Sequence, residues 1–256
     1  SLGSLTAGIA HEIKNPLNFV NNFAGLSVEL IDELREAMAA RLEGAGGDKW
    51  SEVDELLNDI YTNVSKIAEH GRRADGIVQS MLAHSRGKAG AFEPVELNPL
   101  VEEYANLAYH GARARDATFT VTIKKDLDPE VGKVEVVPQN ISRVVLNLVN
   151  NACYATERRR RDEPGAGYRP TVTVSTRNLG ERVEIRVRDN GPGIPAEVRE
   201  KLFEPFFTTK PAGEGTGLGL SISYNTVTEE HGGEIRAESE EGEYAEFIVT
   251  LPRRRG

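Results

Sequence analysis

Asp189-Asn190-Gly191-Pro192-Gly193-Ile194-Pro195, with Gly213-Glu214-Gly215-Thr216-Gly217-Leu218-Gly219-Leu220-Ser221-Ile222-Ser223 downstream of it, decides how the rest of the chain is read. The first stretch sets a carboxylate beside a backbone able to pass close to a flat ligand. An ionised Asp only accepts hydrogen bonds, so it suits an exocyclic amine such as that of adenine and repels a carbonyl at the same point. Gly191 and Gly193 lack a Cβ, which permits the turn and the close approach. The second stretch is a flexible loop entering an apolar helical pattern. Backbone N–H groups gather at such a helix start, which is a natural seat for phosphate. No Gly-Lys-Ser/Thr closes it as in a Walker A loop, and no strand leads it as in a dinucleotide fingerprint. A glycine-rich turn by itself defines only a turn.

The surroundings add weight. A helix is expected from Pro138 to about Arg159, and on it Asn147 and Asn151 stand four apart, on one face, one turn from each other. Side-chain amides offer a neutral carbonyl oxygen to a hard cation, and Mg²⁺ carried by a triphosphate needs only one or two protein ligands. Between the two glycine stretches lies Phe203-Glu204-Pro205-Phe206-Phe207-Thr208-Thr209-Lys210-Pro211. This reads as a lid whose mobile arm, Thr208 to Gly217, folds over phosphates, with at least one of Phe206 and Phe207 anchored in the core.

The first third of the chain has a different period. Ala10, Ile13, Leu17, Val20, Ala24, Ile31, Leu34 and Met38 recur at spacings of three and four, with Ser27 interrupting, and predict a helix from Thr6 to about Leu42 with one coiled-coil seam. After the loop Gly44-Ala45-Gly46-Gly47-Asp48 the pattern restarts through Val53, Leu57, Ile60, Val64, Ile67, Gly71, Ala74, Val78 and Met81. A lone helical hairpin leaves half its apolar surface wet, so two copies are expected to pair as a dimeric four-helix bundle. Gly87-Lys88-Ala89-Gly90 marks a boundary between a helical domain, 1–88, and a second domain, 93–256. There, strands are expected at Phe92 to Leu97, Thr118 to Ile123 and Val134 to Val137, with hairpins from Thr171 to Arg188 and from Glu234 to Leu251. Helices are expected from Pro99, capped by Asn98, to Arg115 and from Leu218 to His231. The fold class is thus an all-α hairpin followed by an α/β sandwich with a mixed sheet and helices on one face.

The bulk numbers agree with two domains. A chain of 256 residues, 39% hydrophobic and 28% charged, has room for a substantial core. The balance of 31 basic to 40 acidic residues, a net charge of −9, argues against nonspecific nucleic-acid binding. The runs Arg158 to Arg161 and Arg253 to Arg255 are read as solvated surface. Cys153 is the only cysteine, which excludes a disulfide framework, favours inert packing and suits a reducing, cytoplasmic setting. No window has the length of a membrane span, so no membrane contact is expected of this segment. The chain opens Ser1-Leu2-Gly3 without Met, already in helical pattern, and reads as a fragment.

On the first helix, His11-Glu12-Ile13-Lys14-Asn15-Pro16 places His11 off the apolar seam, facing solvent. Glu12 can hold one ring nitrogen as N–H and leave the other as a nucleophile. Pro16 removes the backbone bond to the Glu12 carbonyl and bends the helix one turn past His11. With this motif added, the sequence resembles the catalytic core of a sensor histidine kinase of two-component signalling. His11 to Pro16 match the H box, Asn147-Leu148-Val149-Asn150-Asn151-Ala152 the N box and Asp189-Asn190-Gly191-Pro192-Gly193 the first glycine box. Phe203 to Phe207 match the F box, and Gly215-Thr216-Gly217-Leu218-Gly219-Leu220 the second glycine box.

The resemblance implies a dimerisation and phosphoacceptor hairpin followed by an ATP-binding domain of the fold shared with DNA gyrase and the heat-shock chaperone ATPases. It implies His11 as phosphoacceptor, Glu12 as its general base, and Asn147 and Asn151 on Mg²⁺ and the phosphates. Asp189, with Gly191 and Gly193, takes the adenine, and Gly215, Thr216, Gly217, Leu218 and Gly219 hold the triphosphate of ATP. Where some relatives carry a basic residue just after the N box, Tyr154 and Ala155 stand here; Lys210 or one of Arg158 to Arg161 is the substitute for that contact. The phosphoryl group passes to an Asp of a response-regulator receiver domain, and Asn15, one helical turn from His11, is expected to orient water for dephosphorylating that partner. The rival readings are an ATP-driven conformational clamp ATPase of the same fold and a scaffold that only dimerises. The clamp relatives carry a water-activating carboxylate where Asn147 stands, and an amide cannot take a proton.

Overall fold

The computed structural model describes residues 13, 17, 18, 20–34, 55, 57–71, 74, 78, 90–116, 118–163, 167–211 and 215–254. The chain divides into two compact units, residues 1–88 with 208–216, and residues 89–207 with 217–256. In the first unit, residues 20–34 (α1) and 57–71 (α2) are helical. Instead of one apolar seam, α1 carries two. Ala24 and Ile31 are buried, as are Leu57, Ala68 and Gly71 of α2, and a Cβ at Gly71 would overlap the Asn21 amide, so the two helices cross closely there. Val20 and Leu34, expected in that seam, are exposed, and with Phe23 and Leu30 they form a second stripe, 42% to 66% accessible. Ile60 and Ile67 on α2 are exposed as well. Met38, Met81, the Gly44 to Asp48 loop and residues 87–89 lie outside the described residues.

The second unit runs β1 (Glu93–Glu96), α3 (Leu97–Arg115), β2 (Thr122–Leu127), β3 (Lys133–Val136), α4 (Pro138–Asp162), β4 (Thr171–Asn178), β5 (Arg182–Asp189), α5 (Ala196–Arg199), α6 (Gly219–Asn225), β6 (Glu234–Glu240) and β7 (Tyr244–Pro252). Its mixed sheet has the order β2-β4-β5-β7-β6, with β2 parallel to β4 and every other pair antiparallel. β1 and β3 form a separate antiparallel ribbon.

Side chains alternate along a strand, and on β5 the inward series is Val183, Ile185, Val187 and then Asp189. The same period that builds the core therefore carries one carboxylate to its edge. The inward residues of the sheet join Ile141, Val144, Val145, Leu148, Val149 and Ala152 of α4, all at most 2% accessible. Cys153 is buried beside them, and burial pushes its thiol up to about 12, as inert packing requires. The other face of the sheet is charged. Glu184, Arg186, Glu246, Arg236 and Glu238 are linked by ion pairs, and the fully buried Ile248 pairs across the strands with Arg186 and Arg236. Among the described residues no helix is long and apolar enough to cross a membrane.

Four expectations are corrected. β2 begins at Thr122 and not Thr118, because pairing starts where Thr122 N–H donates to Pro170 O (2.9 Å); Phe119 and Val121 are core residues in the unpaired approach. Asn98 does not cap α3, since its side chain bonds Asp128 O and Thr176 Oγ1 across the fold. The last helix is α-helical only to Asn225 and continues as a π-helical turn, Thr226–Glu230, closed by Gly232 at φ +61°. It delivers His231, whose Nδ1–H donates to Thr226 O (2.7 Å) while Nε2 accepts from Val137 N–H (3.1 Å), which anchors the start of α4. Finally, Arg253 is not solvated surface. It donates to the carbonyls of Gly180, Val131 and Lys133 and to Asn178 Oδ1, joining two loops to the end of β7.

Candidate functional site

The site is built along α4. Asn147, Asn151, Ala155 and Arg159 recur every four residues, so they form one stripe beside the apolar face of that helix. At its first position the Asn147 amide donates to Gly219 O (3.3 Å) and Ser223 Oγ (3.4 Å), which fastens the start of α6 to α4. A Cβ on Gly219 would sit 3.7 Å from this amide, an ordinary contact. Two turns on, Gly191 packs against Ala155. A Cβ there would lie 3.0 Å from the Ala155 Cβ and 2.6 Å from Asp189 Oδ1, so only glycine fits between the carboxylate and the helix.

Asp189 ends β5 with 3% of its surface accessible, and its Oδ1 accepts the Gly191 N–H at 2.9 Å. Burial raises its carboxyl to about 7, against the opposing pull of the Gly191 N–H and the Arg188 charge. Gly193 has φ +71°, and a Cβ would overlap the Glu240 backbone. It makes the turn expected of it, and the backbone it passes closely is that of the β6–β7 turn. Gly217 behaves similarly. It has φ +68°, and a Cβ would overlap the backbone of Phe206, itself at φ +67°. Neither Phe206 nor Phe207 is core: Phe206 is 55% accessible, and Phe203 is the aromatic that packs on the core and against Tyr224, with ring centres 5.4 Å apart.

The structure thus gathers Gly219, at Asn147, and Asp189 with Gly191, at Ala155, along one helix, α4, with Asn151 between the two ends and Leu218 immediately before α6. Lys210, Gly215 and Thr216 belong to the first unit, where Lys210 N–H donates to Thr208 Oγ1 (3.2 Å) and Gly215 lies against the same hydroxyl. His11, Glu12 and Asn15 lie outside the described residues, as do residues 212–214 of the expected lid. Among the described residues no group of three or more acidic, His or Cys side chains could hold a metal by itself.

Two residues hold places the sequence reading did not give them. Arg159, from a run read as solvated surface or as the source of a phosphate contact, has only 21% of its side chain accessible and donates to both Asn190 O and Gly191 O at 3.1 Å. Tyr168, from the polar insertion before β4, donates to Asn190 O at 3.0 Å and lies under the Arg159 guanidinium at 5.0 Å. The only signal in the sequence is that Arg159 continues the four-residue spacing of Asn147, Asn151 and Ala155.

A buried carboxylate and a glycine-flanked helix start, held apart on one helix beside a mixed sheet, define an ATPase-type nucleotide domain. Residues 136–255 match the family model described as "Histidine kinase-, DNA gyrase B-, and HSP90-like ATPase". The catalytic domain of histidine kinase ThkA is 33% identical over 63% of this chain and 95% of that one, with a TM-score of 0.52. ThkA in complex with the response regulator protein TrrA is 27% identical, over 99% of this chain and 62% of that one, with a TM-score of 0.56. The sensor histidine kinase ZraS of Escherichia coli (strain K12) is 32% identical over 98% of this chain, which spans 46% of that relative's length. The chain belongs to the sensor histidine kinase family.

Proposed function

We propose that this chain is the catalytic core of an ATP-dependent protein-histidine kinase acting on a response regulator. The observation that carries the reading is the α4 stripe. Asp189, through Gly191 at Ala155, and the start of α6, at Asn147, lie eight residues apart on one helix, roughly 12 Å. That separation suits a nucleotide lying lengthwise, with the adenine amine on Asp189 and the phosphates at Gly215, Thr216, Gly217, Leu218 and Gly219. Lys210 keeps the role read for it from the sequence, a cation for the phosphates, in a nucleotide-binding domain taken to span 93–256.

The donor set fits Mg²⁺ delivered with the phosphates. The Asn147 nitrogen is committed to Gly219 and Ser223, so its oxygen is the group that offers an electron pair, and Asn151 supplies a second amide one turn on. When bound, Mg²⁺ supplies charge neutralisation on the phosphate oxygens. The same commitment weakens the clamp-ATPase reading, since no proton acceptor stands at Asn147.

In the kinase reading a His11 ring nitrogen forms a bond to the γ-phosphorus as the bond to the bridging oxygen of ADP breaks, and Glu12 receives the ring proton. The phosphoryl group then moves to an Asp carboxylate of a receiver domain, a partner supported by the similarity to ThkA in its complex with TrrA. Asn15 holds the water that later removes it. The exposed stripe of Val20, Phe23, Leu30 and Leu34 supports pairing of two copies through the 1–88 hairpin. ATP as donor places the reaction in the cytoplasm.

The test is incubation with ATP labelled on its γ-phosphate in the presence of Mg²⁺. Label lost in acid and kept in base is expected on the wild type, as for a phosphoramidate. None is expected on His11→Gln, whose ATP affinity by calorimetry stays within about twofold because binding and phosphoacceptor groups are separate. Acid-stable label, or label that survives His11→Gln, refutes the proposal.

A further inference from the structure

Arg159 and Tyr168 have no part in the proposed chemistry, yet they converge on its adenine end. Their neighbours Arg158, Arg160 and Arg161 pair with Asp162, Glu157 and Asp116, and Arg159 pairs through Nε with Glu163 (3.3 Å) but also places a second guanidinium nitrogen 3.1 Å from two consecutive carbonyls, Asn190 O and Gly191 O. A trans peptide is planar, with its C=O and N–H on opposite sides. The donors on Asn190 O, Arg159 and the Tyr168 hydroxyl at 3.0 Å, therefore aim the Gly191 N–H the other way, and it meets Asp189 Oδ1 at 2.9 Å. One peptide plane thus connects the cation to the carboxylate.

We infer that Arg159, braced by Tyr168, is a positioning residue that sets purine specificity at Asp189 through the Asn190–Gly191 peptide. The inference rests on Asp189 being the adenine reader proposed above. Without Arg159 the two carbonyls lose their shared donor, Tyr168 alone is left on Asn190 O, and the Gly191 N–H is held less firmly on the carboxylate. That N–H both holds the Asp189 rotamer and favours the ionised form. An ionised, fixed Asp189 accepts from the adenine amine and repels the guanine carbonyl. A protonated one can donate to that carbonyl, so discrimination erodes from both sides. The guanidinium stacked over Tyr168 keeps the donor in place.

Calorimetric titration of the whole chain with Mg-ADP and with Mg-GDP, at several pH values between about 6 and about 8, tests it. Arg159→Met is expected to weaken ADP about tenfold and GDP little, so the ADP-to-GDP preference falls. The pH midpoint of ADP binding moves upward. Arg159→Lys restores part of both, and Tyr168→Phe moves both in the same direction by less. Lower stability alone would alter a urea midpoint but neither the preference nor the pH midpoint, both of which are read on folded protein. Wild-type preference and midpoint in Arg159→Met, with normal ADP binding by the wild type, overturn the clamp alone. Failure of the wild type to bind ADP, or ADP binding by Asp189→Asn equal to that of the wild type, overturns the adenine reading and the clamp with it.

Discussion

Nucleotide affinity should rise with pH through neutrality, and the slope should belong to Asp189. Burial raises this carboxyl to about 7. A folded-state value above the unfolded one means that Asp189 contributes stability present at low pH and lost as pH rises through about 7, the cost of holding a desolvated anion at the edge of the core that the Gly191 and Ala245 N–H groups only partly offset. An adenine amine supplies a further donor, so binding favours the ionised form and expels a proton. If only that form binds, the apparent Kd scales as one plus the ratio of protonated to ionised carboxyl. It therefore changes little above about pH 8 and weakens about tenfold by about pH 6, close to 1.4 kcal/mol.

The perturbation is Asp189→Asn, which keeps the shape and one acceptor but cannot titrate. The assay is calorimetry with Mg-ADP in buffers of different ionisation enthalpy. Near pH 7 the wild type should release about half a proton more than the variant, because phosphate titration is common to both and cancels in the difference. The variant should bind more weakly at high pH, by about 1–3 kcal/mol, since an NH₂ facing the adenine amine leaves a donor unsatisfied. Its empty form should be more stable than the wild type above pH 7, the sign opposite to its effect on binding. Equal proton release and parallel pH profiles in the two proteins would refute the assignment of the titration to Asp189.

Three further outcomes follow from other parts of the chain. Gly193→Ala should lower unfolding stability by about 2–4 kcal/mol in urea titrations, because φ +71° and the Glu240 backbone both oppose a Cβ. Gly219→Ala, with only ordinary contacts at 3.7 Å or beyond, should stay within about 1 kcal/mol of the wild type. Asn15→Ala should retain acid-labile self-phosphorylation while removal of phosphate from a phosphorylated receiver domain falls steeply; loss of both together, or of neither, would leave Asn15 without that role.

Much of the second unit is legible in the sequence because period and burial coincide. The β4–β5 and β6–β7 hairpins, the span of α4 and the burial of Asp189 all follow from alternation or helical spacing. What stays hidden is long-range polar pairing. Asn98 has the composition of a cap, but its partners Asp128 and Thr176 come from elsewhere in the fold. The arginine runs look solvated because charge predicts exposure, whereas Arg159 and Arg253 answer carbonyls that only tertiary structure brings near. Phe206 and Phe207 follow the hydrophobicity rule for a core, yet a left-handed Phe206 turns outward and Phe203 fills the place. On α1 the single seam read from spacing conflates two, since residues three and four apart recur on both faces of a helix that, among the described residues, buries one face and leaves the other exposed.

α4 shows why site and core are not separable here. Its apolar positions Ile141, Val144, Val145, Leu148, Val149 and Ala152 are fixed by the sheet, and its polar stripe Asn147, Asn151, Ala155 and Arg159 is interleaved with them at the same pitch. Each helical residue turns the stripe by roughly 100°. A single inserted residue between Leu148 and Ala155 would therefore keep the amide on Gly219 but swing the Ala155 and Arg159 positions away from Gly191, or else drive polar groups into the core. The distance from the start of α6 to Asp189 is thus held by the same packing that stabilises the domain, which closes to a few tenths of an ångström around glycines that admit no Cβ. A loop-borne site would depend on its ligand to set that distance. This one inherits it from the fold, so changes at Gly191 should appear in stability and nucleotide affinity together, whereas changes at Arg159 act on the specificity of a pocket whose length they leave alone.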